Sequence, residues 1–263
     1  MFDRFFDDAA LFPPGDVPMA TAVPAHRARR SGLVGPFVVT AAQLDALGAH
    51  LSPDGPPLDL SLIAGPADLP GAVGRIARTP ALRLAAVETP VAADAAQTRA
   101  AVRICADCLP PEIPVAVEIP RTDQRDPVLD ALAGTGRRAK LRTGGLRADL
   151  FPSPDELAAT IRACLERDLA FKCTAGLHHA VRHDDPATGF PHHGFLNVLL
   201  ATADPDDAPA HLRRTDARAV AAEVRGCASA RNAFTSFGTC SVAEPVDDLI
   251  NLGLLPAHER ITA

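Results

Sequence analysis

The chain reads as a single-domain (βα)8 TIM barrel spanning residues 1–263, and three observations predict it. Short apolar runs alternate with Ala-rich helical stretches along the whole length, and eight such pairs can be counted, which is the number a closed α/β barrel requires. A length of 263 residues suits one such barrel. No internal repeat, low-complexity tract or linker divides the chain. An open doubly wound sheet is the alternative, but it would place a Gly-rich dinucleotide loop after the first strand, and Phe12-Pro-Pro-Gly15 is not one.

The expected strands are Asp8–Phe12, Pro36–Thr40, Leu58–Ala64, Leu82–Glu88, Pro114–Glu118, Ala139–Thr143, Ala170–Thr174 and Ala233–Cys240. Helices are expected near Met19–Arg30, Ala41–Leu51, Pro66–Arg78, Asp94–Cys108, Pro127–Leu132, Asp155–Arg167 and Pro245–Leu252. After strand seven, Phe195–Thr202 and Thr215–Cys227 read as two more. Ser153-Pro-Asp-Glu156 carries Ser at the N-cap, Pro at N1 and Glu at N3, which together satisfy amides that a helix start leaves unpaired. Strands recur at a spacing near 30 residues until the seventh. From Thr174 to Ala233 the connection is roughly double, so an active-site loop or extra helix follows strand seven.

Composition excludes several function classes. Hydrophobic residues make up 47% of the chain, enough for a large core, but Trp and Tyr are absent and aromatics total 4%. Base-stacking platforms are therefore not expected, and a net charge of −6 argues against a nucleic-acid partner. The basic cluster His26-Arg-Ala-Arg-Arg30 reads as a solvated helix end. Met1–Asp8 is charged throughout and no apolar run reaches the ~20 residues of a membrane span, so a cytoplasmic protein with no membrane partner is expected. Cysteines at 105, 108, 164, 173, 227 and 240 include one Cys-x-x-Cys, and a structural zinc site would want a second pair. Free thiols are the expectation.

In such barrels the reacting groups come from the C-terminal ends of strands. Here those ends carry charge. Strand four closes on Glu88 and strand five on Glu118; strand six places Lys140 and Arg142 on one face, and strand seven does so with Lys172 and Thr174. Leu141, Phe171 and Cys173 alternate with them and suit the outer face. Only two lysines occur among 26 basic residues, and every other one is arginine. Arginine keeps its proton at any workable pH, whereas a crowded or desolvated lysine can lose it and attack a carbonyl. Two lysines at one height on neighbouring strands would also repel each other. A purely structural ion-pair network inside the barrel is the competing explanation.

Lys140-Leu-Arg-Thr-Gly144 and Lys172-Cys-Thr-Ala-Gly176 resemble the strand-six and strand-seven phrases of class I aldolases of the deoxyribose-phosphate aldolase type. The chain is also similar to an uncharacterised bacterial family that shares Lys-x-Arg-Thr-Gly-Gly and Gly-Leu-His-His. The resemblance to the aldolases covers these short phrases and implies Lys140 as the Schiff-base lysine, with Lys172 as a second lysine beside it. Arg142 stands where that family has a small residue, His178-His179 follows the second Gly, and the seventh connection is longer.

Five of nine histidines fall between 178 and 193: His178, His179, His183, His192 and His193. The first two follow Gly176 at a strand end and are placed in the site, while His192 and His193 suit a His-rich surface loop. Imidazole serves acid/base or metal chemistry. A metal site would need Glu88, Glu118, His178 and His179 to converge, without a recognised ligand spacing. Thr143-Gly-Gly145 and Phe237-Gly-Thr-Cys-Ser241 follow strands six and eight, where freed amides can cradle an anion.

The reading is thus a lysine-dependent lyase acting on a small phosphorylated or carboxylated carbonyl compound, with no metal and no cofactor. Lys140, Lys172, Glu118, Glu88 and His178 are the expected catalytic groups. Arg142, Thr143, Gly144, Gly145, Thr174, Gly176, His179, Gly238 and Ser241 are expected to bind substrate. The alternatives are a metal-dependent barrel hydrolase or isomerase, or a non-catalytic anion-binding barrel. A homo-oligomer is compatible with the sequence.

Overall fold

A computed structural model describes residues 1–29, 31–52 and 55–261. Eight parallel strands close into a barrel: β1 (Phe6–Asp8), β2 (Val34–Thr40), β3 (Leu58–Ile63), β4 (Leu82–Thr89), β5 (Val115–Glu118), β6 (Arg138–Arg142), β7 (Phe171–Thr174) and β10 (Phe234–Thr239), which returns to pair with β1. The expected (βα)8 barrel is therefore observed.

Apolar side chains fill the ring between sheet and helices in two masses. One surrounds β2–β4 and packs Phe37, Leu60, Leu62 and Val87 against the helices α1 (Met19–Ala28), α2 (Leu44–Gly48), α3 (Leu69–Ala77) and α4 (Ala95–Cys108). The other spans β5–β7, β10 and β1, with α5 (Arg125–Leu132) and α6 (Pro154–Leu165). Leu141, Phe171 and Cys173 lie in that second mass, as alternation requires. The centre of the barrel is left to polar groups.

Ser153 caps α6, its hydroxyl accepting from the Glu156 amide at 3.2 Å. The first strand departs from expectation. It is Phe6–Asp8, not Asp8–Phe12, because the chain turns at once: the Phe12 amide donates to the Ala9 carbonyl, and Pro13 and Pro14 have no amide to offer a neighbouring strand. Alternation then sends Asp7 into the barrel and Asp8 out toward α1. There His26 and Arg29 reach the Asp8 carboxylate at 2.8 and 2.6 Å, so the described part of the His26–Arg30 cluster is no solvated helix end. Asp8 is 1% exposed and these partners compensate its buried charge. Arg30 lies outside the described residues.

The long connection after β7 carries more than the two helices expected. A short hairpin of β8 (His183–Asp184) and β9 (Pro191–His192) comes first, then α7 (Phe195–Ala203), α8 (Ala208–Arg213) and α9 (Ala217–Val224). Asn197, fully buried on α7, stitches them: its carbonyl accepts from the Arg182 amide, and its NH2 donates to the carbonyls of His211 and Arg214. His193 is also a pin and not a surface residue. Its Nε2 donates to the Pro152 carbonyl at 2.8 Å, and burial lowers its pKa to about 4, keeping the ring neutral. The final helix, α10 (Ala243–Asn251), follows β10. No helix among the described residues is long and apolar enough to cross a membrane.

Candidate active site

Strand pairing sets Glu118, Lys140, Lys172 and Ser236 in one rung across β5, β6, β7 and β10. These side chains point inward and meet Asp7 from β1, Ser61 from β3 and Glu88 from β4. Barrel interiors are ordinarily packed with branched apolar residues; here the middle layer is a chain of alternating charge. Arg142 Nε donates to Glu118 Oε1 at 2.8 Å, and Glu118 Oε2 lies 3.1 Å from Lys140 Nζ. Lys140 Nζ is 3.2 Å from Glu88 Oε2. Glu88 Oε1 in turn accepts from Lys172 Nζ at 2.5 Å and from the Ser61 hydroxyl at 2.9 Å. Lys172 also donates to Asp7 Oδ2 at 2.6 Å, where the Ser236 hydroxyl joins it at 2.8 Å. Three carboxylates face three cations, so the layer can be buried without net charge.

The electrostatics differ along this chain. Burial alone would push the Glu88 carboxyl up, but two ammonium groups and the hydrogen bonds from Lys172 and Ser61 outweigh it and bring the pKa to about 2. Burial likewise disfavours charge on Lys172, yet the carboxylates of Asp7 and Glu88 raise its pKa above that of a free lysine. Asp7 shares that one ammonium with Glu88, and burial wins there, raising its pKa.

A cavity of about 610 Å3 opens at the C-terminal mouth, and Glu88, Glu118, Lys140, Arg142, Thr174 and His178 line it. Gly145 and Gly238 lie on its wall, beside Leu146, Arg147 and Leu150 from the loop after β6. Lys172 does not line it. Its ammonium is turned below Glu88, toward the N-terminal end, so the two lysines do not share one opening, and the Glu88 carboxylate stands between them.

Five more expected binding residues face elsewhere. The Thr143 hydroxyl is buried and donates to the Ala175 carbonyl. Gly144 and Gly176 are needed because the exits of β6 and β7 pack together there: a Cβ on Gly176 would sit 2.9 Å from the Gly144 Cα, and Gly176 has φ +75°. His179 is turned outward, with Nδ1 3.1 Å from Asp248 on α10. Ser241 lies past the wall, where its carbonyl accepts from the Thr239 hydroxyl at 2.9 Å.

His178 is held at the rim. Its Nδ1 lies 3.3 Å from Thr239 Oγ1, 3.4 Å from Glu244 Oε2 and 3.6 Å from Cys240 Sγ. Burial would depress its pKa, but the Cys240 and Glu244 contacts prevail and raise it to about 9. Since His179 turns to Asp248, the four groups that a metal would need do not converge. Among the described residues no group of three or more His, Cys, Asp or Glu side chains is arranged to hold a metal ion.

Asp7, Ser61 and Ser236 are site residues that sequence reasoning missed. Asp7 was reachable: it follows two phenylalanines, and shifting the strand by two residues turns it inward. A serine within an apolar strand carries no comparable signal. No protein-family model matches the chain, and no curated protein matches it.

Proposed function

We propose that the protein is a lysine-dependent lyase of the class I aldolase kind, forming an imine through Lys140 with a small carbonyl compound that bears a carboxylate or phosphate. The observation that carries this reading is the placement of Lys140: it is the only lysine lining the mouth cavity, 3% exposed, between two carboxylates at 3.1 and 3.2 Å. Active sites of this fold lie at that end of the barrel.

In this reading Glu118 takes a proton from the Lys140 ammonium, and the freed amine attacks the carbonyl carbon. The carbonyl oxygen takes up two protons, one from the attacking nitrogen and one returned by Glu118, and leaves as water, giving the iminium. This draws electrons from the bond between its α and β carbons as that bond breaks and the β-hydroxyl gives its proton to the Glu118 carboxylate. His178, with its raised pKa, stands at the rim to give or receive a proton. Arg142 and Arg147 would hold the anionic end of the substrate. Lys172 acts through Glu88 as a fixed cation, without touching the substrate.

Borohydride reduction of the protein with short oxo-acids and sugar phosphates, followed by peptide mass spectrometry, tests it. A reduced adduct is expected on Lys140, absent from Lys140→Arg because guanidinium forms no imine, and retained in Lys172→Arg. Absence of any adduct on Lys140 across the panel would overturn the reading, leaving an anion-binding barrel as the better account.

A further inference from the structure

The barrel has a second polar opening, at the end opposite the mouth. A pocket of about 250 Å3 is lined there by Asp7, Arg138, Lys172, Arg231, Thr235 and Ser236, among others. Arg138 begins β6, in phase with Lys140 and Arg142, so it faces the interior from below. It is half-buried, and no hydrogen-bond or ion-pair partner meets its guanidinium among the described residues. Arg231 sits over the Phe5 ring at 3.9 Å and donates to backbone carbonyls of Met1, Asp3, Phe234 and Thr235; among the described residues no carboxylate lies within ion-pair distance of it.

The charge accounting is lopsided. At the middle layer each cation meets a carboxylate. At this end the guanidiniums of Arg138 and Arg231 share a confined space. Asp7 favours the charge of both and Asp3 that of Arg231, but among the described residues neither carboxylate is within ion-pair distance of them. Burial lowers the pKa of both, that of Arg231 to about 10, and the charge of Arg138 lowers it further. Neighbouring like charges left without a counter-ion in a concave site are disfavoured unless an anion completes them. Guanidinium is also the group whose forked donors match a planar or tetrahedral oxyanion.

We infer that the N-terminal end of the barrel is a binding site for a small oxyanion, with Arg138 as its principal contact and Arg231 as the second charge. The pocket has room for a phosphate-sized group; the Thr235 and Ser236 hydroxyls on its wall already donate to the Phe171 carbonyl and to Asp7, so the guanidiniums are the donors left for an anion. Lys172 borders it, so an anion there lies one ammonium and one carboxylate away from Lys140. The site does not rest on imine chemistry at the mouth.

Calorimetric titration of the whole protein with inorganic phosphate, in a buffer free of other oxyanions, tests this. Saturable binding is expected to survive Arg142→Gln at the mouth and to weaken at least tenfold in Arg138→Gln. Without phosphate, Arg138→Gln should melt no lower than wild type, since the side chain has no protein partner to lose. Phenylglyoxal modification of the wild-type protein gives an independent reading, in which phosphate should shield Arg138, whether or not Arg142 at the mouth is shielded as well. Failure of wild type to bind phosphate would overturn the site. So would unchanged binding in Arg138→Gln, or protection confined to Arg142.

Discussion

Lys140 and Lys172 are partners in the same rung of neighbouring strands, yet they belong to different ends of the barrel. Lys140 lies under the mouth cavity, shares Glu118 with Arg142 and shares Glu88 with Lys172. Lys172 lies beneath Glu88, carries Asp7 as well, and is pinned by two contacts of 2.5 and 2.6 Å. One lysine borders a cavity between two carboxylates. The other neutralises two buried acids with no substitute at hand. The same residue at the same height therefore takes on different work according to what the strands around it bring, with Glu88 as the boundary.

Removing Lys172 should be the harshest test of that difference. Lys172→Met leaves Glu88 and Asp7 without their shared cation, and breaking a buried pair from one side costs about 3–5 kcal/mol. Lys140→Met should cost clearly less, because Glu118 keeps Arg142 and Glu88 keeps Lys172. Urea midpoints of the two variants decide it. Equal losses would mean that the lysines are interchangeable props.

Acid should sharpen the same boundary. A carboxyl with a folded pKa of about 2 contributes stability that is fully present above its unfolded value, near 4.5, and that is lost as pH falls toward 2. Asp7, raised by burial, works in the opposite sense. The Glu88 contribution is therefore read as the difference between wild type and Glu88→Gln in stability against pH. That difference should shrink between pH 5 and 2, and a constant difference would mean that Glu88 is not the clamped carboxylate.

The smallest effect is expected at the rim. The raised pKa of His178 means that its charged form adds stability below about 6.5, which is lost as pH rises through 9. Its partner Glu244 is 43% exposed, so the effect should be slight. Imidazole titration followed by NMR should give a midpoint near 9 for His178, falling in Glu244→Gln.

Seven of eight barrel strands were legible within a few residues, because buried parallel strands are short apolar runs bounded by polar turns. The inner face of β4–β7 was legible too, since charge alternating with apolar residues has one physical reading in a strand. The first strand was not, because Ala9–Phe12 is as apolar as a strand and only the prolines behind it argue for a turn. The histidines were the least legible group. His178, His179 and His193 look alike in sequence, but one lines the cavity, one turns to Asp248 and one is a neutral pin in the core.

Taken alone, the sequence determined the eight-strand alternation, the cap at Ser153 and the inward set of Glu88, Glu118, Lys140, Arg142 and Lys172. All of these follow from period and chemistry over a few neighbouring residues. Which of the inward charges meet could only be decided by closure of the barrel. It brings Asp7 from the first strand against Lys172 from the seventh, 165 positions away, and slides Glu88 between the lysines. Register across strands decides such meetings: hydrogen bonds between β1 and β10, remote in sequence, set the height of each side chain, and a shift of one residue would turn an inward charge into the apolar ring under the helices.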